Sequence, residues 1–496
     1  MTGIGASARS APDATAIVMG NIRLSFGELD ERCRSLAGEL RAGGLSRGDR
    51  IALLAANRPE VLEVTSAALR AGIVPVPVNP LLAPPEIEYL LEDSGARWLF
   101  ADRRFESPAL DRTITFGDAY ERLLHEAAPG PLADVVLGRP MHYTSGTTGS
   151  PKGVWVPPVS PEAAEARSAN FIRMWGLNSD DLHLVCSPLA HSAPMRFSLR
   201  TLEAGGTVVV LTRFDAAEAL ATIEMYGVTT TFMVPTHLER IVTLGDRAMA
   251  RHDTSSMKLL AHAGAPIRET TKRRVLDLFP DSTVWEFYGS TEGQATRIST
   301  AEWLRKPGSV GPATSGARII VTDEGGAELP PGQAGVVWIA DPGGEKFEYW
   351  RDAEATRRAW RAFPLEPGSS DTVAAFTVGD LGYLDSDGYL YLVGRLHDTI
   401  ITGGVNVYPQ EVEKVLSSHP AVAEVAVYGA PHDEWGEEVR AMVVGVPGFP
   451  LDPELLREWA RERLAGYKCP RRIDVVAQVP RTATGKVKRE PPGAPE

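Results

Sequence analysis

Over roughly its first hundred residues the chain alternates short apolar runs with longer segments whose apolar positions recur at helical spacing. Residues 16–19 and 22–24 are brief apolar runs. Ser25, with Glu28 three residues on, reads as a capped start to a helix that continues through Leu40. Residues 50–54 and 73–78 read as buried strands, with a helix over 61–71 between them. Strands separated by such helices predict βαβ units and a parallel sheet. The same alternation returns at 207–211, 216–226 and 229–234.

The pattern changes after about Gly308. Residues 317–322 and 335–340 are β-rich and flank a Gly/Pro turn region, and Asp387-Gly388 between 381–385 and 389–393 is a hairpin signal. This predicts a small β unit appended to the α/β part. Beyond Gly394-Arg395-Leu396-His397 a last unit follows, with helices over 409–417 and 453–464 and strands over 422–427, 439–444 and 472–476. The expected fold class is α/β, with a large N-terminal domain of parallel α/β sheets plus a small β unit over 1–395. A smaller α+β domain is expected over 396–496.

Composition narrows the function classes. The chain has 496 residues, 51 Lys plus Arg against 64 Asp plus Glu, and a net charge of −13, which argues against nucleic acid as a partner. The 3 cysteines, Cys33, Cys186 and Cys469, form no CxxC pair and suggest neither disulfides nor a zinc site. No secretory signal is visible at the N-terminus, and no apolar stretch is long enough to span a bilayer, so a cytoplasmic protein is expected, with monomer or homodimer left open.

The densest chemical signal is Tyr143-Thr144-Ser145-Gly146-Thr147-Thr148-Gly149-Ser150-Pro151-Lys152-Gly153. Its glycines allow close backbone approach, its hydroxyls donate hydrogen bonds and Lys152 adds a cation, the parts of a loop that wraps phosphate oxygens. Pro151 before Lys152 rules out a Walker A motif. Composition alone equally allows a flexible surface loop. Further along are Tyr288-Gly-Ser-Thr291-Glu292-Gly293, Gly379-Asp380, Gly394-Arg395, Gly403-Gly404-Val405-Asn406-Val407-Tyr408-Pro409 and Pro480-Arg-Thr-Ala-Thr-Gly485-Lys486. Tyr288 offers a ring for a base, Thr291 a hydroxyl for a phosphate, Glu292 a hard oxygen for Mg²⁺ and Asp380 an acceptor for ribose hydroxyls. Each of these, taken alone, also reads as an ordinary surface residue.

Together, in this order and spacing, these elements resemble the adenylate-forming superfamily of acyl- and aryl-CoA synthetases, peptide-synthetase adenylation domains and beetle luciferases. The resemblance is carried by residues from about 140 to 490. It implies that ATP, Mg²⁺ and coenzyme A are used to turn a carboxylic acid into its acyl-adenylate and then its thioester. It also implies that Lys486 bonds the acyl carboxylate and α-phosphate, that Glu292 and Thr144 face the metal, and that Gly264-Ala265 lies against adenine. Arg395 is implied to contact ribose or phosphate, and His191 in Pro188-Leu-Ala-His191 to gate the acyl pocket. The C-terminal domain is implied to rotate between half-reactions, bringing the Gly404 loop to the thiol. His397 stands where the family usually has Asp or Lys at the hinge.

The acyl pocket is expected from 191–196, 231–236, 262–266 and 287–294. That set includes Met195, Phe232, Met233, Val234 and Phe287, favouring an apolar or aromatic acid over acetate. Arg196 could meet a second substrate carboxylate or make a surface ion pair. Between Gly466 and Glu490 there are seven Lys or Arg against two acids, a run that could meet phosphates or merely solvate a tail. A carrier protein acting in trans remains an alternative acceptor.

Overall fold

The computed structural model describes residues 3–144, 151–314, 316–341, 346–365, 369–402, 405–432, 435–481 and 487–489. The chain divides into two compact units. One is formed by residues 1–294, 298–305 and 344–358, the other by 295–297, 306–343 and 359–496.

In the first unit the alternation of short apolar strands with helices yields two largely parallel sheets. The smaller has the order Val74–Val78, Arg50–Leu54, Ala96–Ala101, Arg112–Thr115, every pair parallel. Val74–Val78 is buried at every position, as expected for a strand covered on both faces. The larger sheet is centred on Leu182–Val185. The chain pairs Thr207–Val210 on one side of that strand, then crosses to lay Thr230–Met233 on the other, and continues outward through Leu259–His262 and Val284–Gly289. All these pairings are parallel, so the carboxyl ends of the strands share one edge, and the growth direction switches at Leu182–Val185. Ligands of open α/β sheets bind at such switch points. A three-stranded antiparallel sheet joins His142–Thr144, Lys152–Trp155 and Glu348–Tyr349.

The expected helix start at Ser25 is a complete capping box. The Ser25 hydroxyl accepts from the Glu28 amide, the Glu28 carboxylate accepts from the Ser25 amide, and the helix runs Phe26–Ala42. The helix expected over 61–71 is Pro59–Arg70, opened by a proline in its first turn. A helix at Ile4–Ser10 was not expected. It is short and rich in Ser and Gly, so its apolar periodicity is too brief to register.

The second unit carries an antiparallel sheet in the order Trp360–Pro364, Thr372–Phe376, Gly335–Ala340, Asp380–Leu384, Leu390–Arg395, with Arg318–Thr322 also paired to Gly335–Ala340. The hairpin at Asp387-Gly388 is present, and Gly388 takes a φ of 79°. Helices Pro409–Ser417 and Pro453–Arg461 belong to a further α+β layer, whose core includes Ile400, Val412, Val427, Val443 and Leu456. The strand expected over 422–427 extends to Val422–His432, paired with Gly436–Gly445. Gly429 and Pro431 hide this continuation in the sequence. At Gly429 a Cβ would lie 2.6 Å from a Glu437 carboxylate oxygen, so the strand uses the glycine to admit that side chain.

The three cysteines are buried and free, and burial pushes the thiols of Cys33 and Cys186 up to about 12. Among the described residues no helix is long and apolar enough to cross a membrane.

Gly38 sits inside helix Phe26–Ala42, where alanine would ordinarily gain about 1 kcal/mol. Here a Cβ would stand 1.8 Å from the Ala128 carbonyl oxygen. Overpacking of that kind costs about 1–3 kcal/mol, so steric cost outweighs propensity. Gly38→Ala is expected to lower the urea midpoint. A raised midpoint would show that the 128–130 segment yields freely.

Candidate active site

Three loops leave the carboxyl edge of the large sheet. Residues 186–191 follow the central strand Leu182–Val185, residues 263–266 follow Leu259–His262, and residues 290–293 follow Val284–Gly289. His191 ends the first as the N-cap of helix Ser192–Glu203, half-buried, its amide donating to the Pro188 carbonyl at 3.0 Å. Close by stand His142, Arg139 and Arg196. Burial, followed by the charges of His191, Arg139 and Arg196, pushes His142 down to about 3, so it is neutral at pH 7. The site wall is therefore cationic through arginines and not through this imidazole.

In the second loop Gly264 takes φ 95°, a left-handed conformation that suits glycine and turns the backbone away from the strand. Ala265 follows it, exposed like Gly264 and Pro266, while Ala263 before them is buried. Beneath lies a buried charge cluster. Lys272 and Glu286 form an ion pair, and the His262 imidazole lies 3.9 Å from the same carboxylate. His262 and Glu286 are register partners in adjacent strands. Burial lowers both Lys272 and His262 from their ordinary values, with Glu286 opposing the effect on the lysine. The cluster ties helix Glu269–Leu278 to the strands that carry Gly264 and Tyr288.

The third loop is tight because Gly289 has no side chain. A Cβ there would lie 2.9 Å from the Gly293 carbonyl oxygen. The Ser290 amide donates to that same carbonyl at 2.8 Å, and the Glu292 amide donates to the Ser290 hydroxyl at 3.2 Å. Tyr288 is buried just before the turn. The Thr291 carbonyl accepts from Arg139 at 2.7 Å, which fixes the loop to the cationic wall. Glu292 is only 5% exposed and accepts from the Tyr349 hydroxyl at 2.8 Å.

Thr144 and Lys152 face each other across the antiparallel pair His142–Thr144 and Lys152–Trp155. Ser145, Gly146, Thr147, Thr148 and Gly149 lie outside the described residues. The Lys152 ammonium pairs with Asp352 at 3.0 Å and sits 5.6 Å over the Tyr349 ring. A cleft of about 280 Å³ opens here, lined by Lys152, Asp352, Arg351, Trp350, Asp93 and Tyr89. Tyr349 and Asp352 were not anticipated. Their one sequence signal is an aromatic pair followed by an Asp that starts a helix, the Asp352 carboxylate accepting from the Ala355 amide.

Phe232 and Phe287 lie side by side with ring centroids 5.9 Å apart, wrapped by Phe171, Trp175 and Phe197. Val234 packs against this cluster. Met195 and Met233, expected beside them, belong to separate cores. Met233 neighbours Phe232 on one strand, and strand alternation sends it to the opposite face.

In the second unit Asp380 and Arg395 are register partners, and the Arg395 guanidinium meets the Asp380 carboxylate at 3.0 Å. Gly404 and Lys486 lie outside the described residues. Much of the basic tail is already neutralised. Lys468 pairs with Glu411, Arg472 with Asp474, Arg481 with Glu424, and Arg489 with both Glu413 and Asp398.

Among the described residues no three His, Cys, Asp or Glu side chains form a metal cage. A lone buried carboxylate such as Glu292 fits Mg²⁺, which takes one or two carboxylates together with substrate phosphates and water.

Residues 5–346 match the family described as AMP-binding enzyme, and residues 411–486 match the AMP-binding enzyme C-terminal domain. A feruloyl-CoA synthase of Amycolatopsis sp is 35% identical over 97% of this chain and 95% of its own length. A fatty acid–[acyl-carrier-protein] ligase, ScoC of Streptomyces coeruleorubidus, is 33% identical over 97% and 93%. The o-succinylbenzoate CoA synthetase of Bacillus subtilis, solved with its acyl-adenylate intermediate, superposes with a TM-score of 0.85 at 28% identity, covering 100% of this chain and 99% of that one. The same enzyme has been solved with ATP and magnesium ion, at a TM-score of 0.83 and 29% identity, covering 98% of both chains. The matches span both the large N-terminal α/β part and the small C-terminal part.

Burial pushes His142 and His183 down to about 3 and His237 to about 4, whereas unfolded imidazoles titrate near 6.5. Below pH 6.5 the unfolded chain therefore binds protons that the folded chain refuses. Stability is then lost as pH falls from about 6.5 to about 3 for His142 and His183 and to about 4 for His237, by about 1.4 kcal/mol per pH unit for each such group. The denaturant midpoint is expected to drop between pH 7 and pH 5, and His183→Gln to flatten part of that slope. A midpoint equal or higher at pH 5 would contradict this assignment.

Proposed function

Because this chain belongs to the AMP-binding enzyme family, we propose that it is an AMP-forming acid–CoA ligase acting on an apolar or aromatic carboxylic acid. The observation that carries this reading is the buried Glu292 at the carboxyl edge of a parallel sheet, joined through Tyr349 to Lys152, which Asp352 anchors. Feruloyl-CoA synthase and o-succinylbenzoate CoA synthetase, both named for aryl acids, support it, as does the aromatic cluster around Phe232 and Phe287.

In this reading the substrate carboxylate is already ionised at neutral pH, so no general base is needed. The task is to bring two anions together and hold the charge that develops on the α-phosphoryl group. Lys486 bonds the carboxylate and α-phosphate. Lys152 and residues 144–149 bind the leaving phosphates, and Arg139 and Arg196 keep the wall positive. Glu292, with Thr144, would hold Mg²⁺, whose charge offsets that of the phosphates. Tyr288 and Gly264-Ala265 flank adenine, while Asp380 and Arg395 take the ribose. His191 stands at the entrance to the acyl site. We place the mobile C-terminal domain at 396–496, hinged near His397 in the turn Leu396–Asp398, with Gly404 on the loop that meets coenzyme A. A cytoplasmic site of action is part of the same proposal. The resemblance to the carrier-protein ligase favours a second reading, in which the final thiol belongs to a carrier acting in trans.

Incubation with ATP, Mg²⁺, coenzyme A and a panel of aryl and fatty acids is expected to yield AMP, pyrophosphate and acyl-CoA. Accumulation of acyl-adenylate relieved only by a carrier protein would favour the second reading.

Lys486→Ala is expected to slow pyrophosphate release by on the order of 10²–10³, or about 3–4 kcal/mol. Conversion of chemically prepared acyl-adenylate to thioester should stay near the unmutated rate. Lys488→Ala, which removes one positive charge two residues away, is the control. Unchanged pyrophosphate release in Lys486→Ala would remove the lysine from the mechanism.

A further inference from the structure

Two of the groups assigned above to the phosphates and the metal are connected through one side chain. The Tyr349 hydroxyl donates to the Glu292 carboxylate at 2.8 Å, and the ring of the same tyrosine lies 5.6 Å beneath the Lys152 ammonium. Lys152 is further held by Asp352 at 3.0 Å, three residues along from Tyr349. We propose that Tyr349 is a positioning residue that sets the metal-facing carboxylate and the phosphate-facing lysine in a fixed relation, so that the site favours ATP carrying its Mg²⁺ over metal-free ATP.

The rest of the segment makes the hydroxyl unnecessary for holding the strand in place. Tyr349 pairs with Val154 across the antiparallel ladder, and its amide donates to the Thr356 hydroxyl at 2.9 Å. The Trp350 amide donates to the Gly153 carbonyl at 2.7 Å, and the Trp350 indole to the Asp93 carbonyl at 2.9 Å. The Tyr349 ring packs against Phe347 with centroids 5.3 Å apart. Backbone and ring packing thus anchor residues 347–350 to the Lys152 strand, leaving the hydroxyl to act on Glu292. A carboxylate with one oxygen engaged is fixed in plane, which restricts the direction its other oxygen presents to a cation. Outer hydrogen bonds of this kind orient metal ligands, and losing one typically costs on the order of tenfold in metal affinity. The ring does separate work for the lysine. An ammonium over an aromatic face, partnered on another side by a carboxylate, keeps a donor for phosphate without searching rotamers.

The inference rests on the reading of Glu292 as the metal-facing carboxylate, and the two can be tested apart. The probe is α,β-methylene-ATP, which cannot be cleaved at the reacting bond, titrated calorimetrically with and without Mg²⁺. Magnesium is expected to tighten its binding to the wild-type protein. Tyr349→Phe keeps ring and strand and should lose about tenfold of that tightening, with metal-free binding unchanged. Tyr349→Leu, which also removes the ring beneath Lys152, should weaken metal-free binding as well. If Tyr349→Phe retains the full magnesium effect, or weakens binding equally with and without the metal, the positioning role is overturned. If Glu292→Gln retains the magnesium effect, the assignment of Glu292 itself falls, whatever Tyr349→Phe does.

Discussion

The parallel sheet of the first unit changes its direction of growth at Leu182–Val185, and the candidate residues around it inherit their places from that crossing. Parallel strands deliver all their carboxyl ends to one edge. A switch of direction keeps the loops after neighbouring strands from covering each other. His191, Gly264 and the Thr291–Glu292 pair come from three loops that leave the same edge, after Leu182–Val185 and, on one side of it, Leu259–His262 and Val284–Gly289, with Thr230–Met233 between the first two strands. The buried Lys272–Glu286 pair with His262 secures the same strands from below. Removing one partner would leave a buried charge uncompensated, so the pair is better understood as fixing register than as adding net stability.

Much of this was legible in the sequence because local signals and tertiary placement agree. The capping box at Ser25 and Glu28, the strands at 50–54 and 335–340 and the Asp387-Gly388 hairpin all lie where pattern puts them. The Tyr288–Gly293 element was legible through Tyr288, Thr291 and Glu292, while the close approach that Gly289 permits was not read there. What escaped was of another kind. Tyr349 and Asp352 reach Glu292 and Lys152 only because a two-residue strand, Glu348–Tyr349, docks on Lys152–Trp155. No periodicity marks a strand that short. Met195 and Met233 were grouped with Phe232 because all three lie in segments expected to line the acyl pocket, while strand and helix geometry sends them to other cores.

Electrostatics sorts the cations more sharply than composition could. The tail between Gly466 and Glu490 reads as a basic run, but four of its seven cations already answer specific carboxylates. In the first unit the imidazoles of His142, His183 and His262 are held neutral by burial, so the cations beside the candidate site are the guanidinium and ammonium groups of Arg139, Arg196 and Lys152. Guanidinium and ammonium groups keep their charge across the physiological range, so a site built on them attracts anions without a pH switch.

The cysteines acquire a meaning in this setting. An acyl-adenylate is an electrophile that reacts with any accessible thiolate, so an enzyme that makes one beside its own sulfur atoms risks acylating itself. Cys33 and Cys186 are fully enclosed, and burial holds their thiols protonated to about pH 12, while Cys469 is buried and shifted in the same direction. None of them offers a thiolate at neutral pH. The acceptor thiol therefore has to arrive from outside, and the fold leaves that incoming nucleophile without an internal competitor.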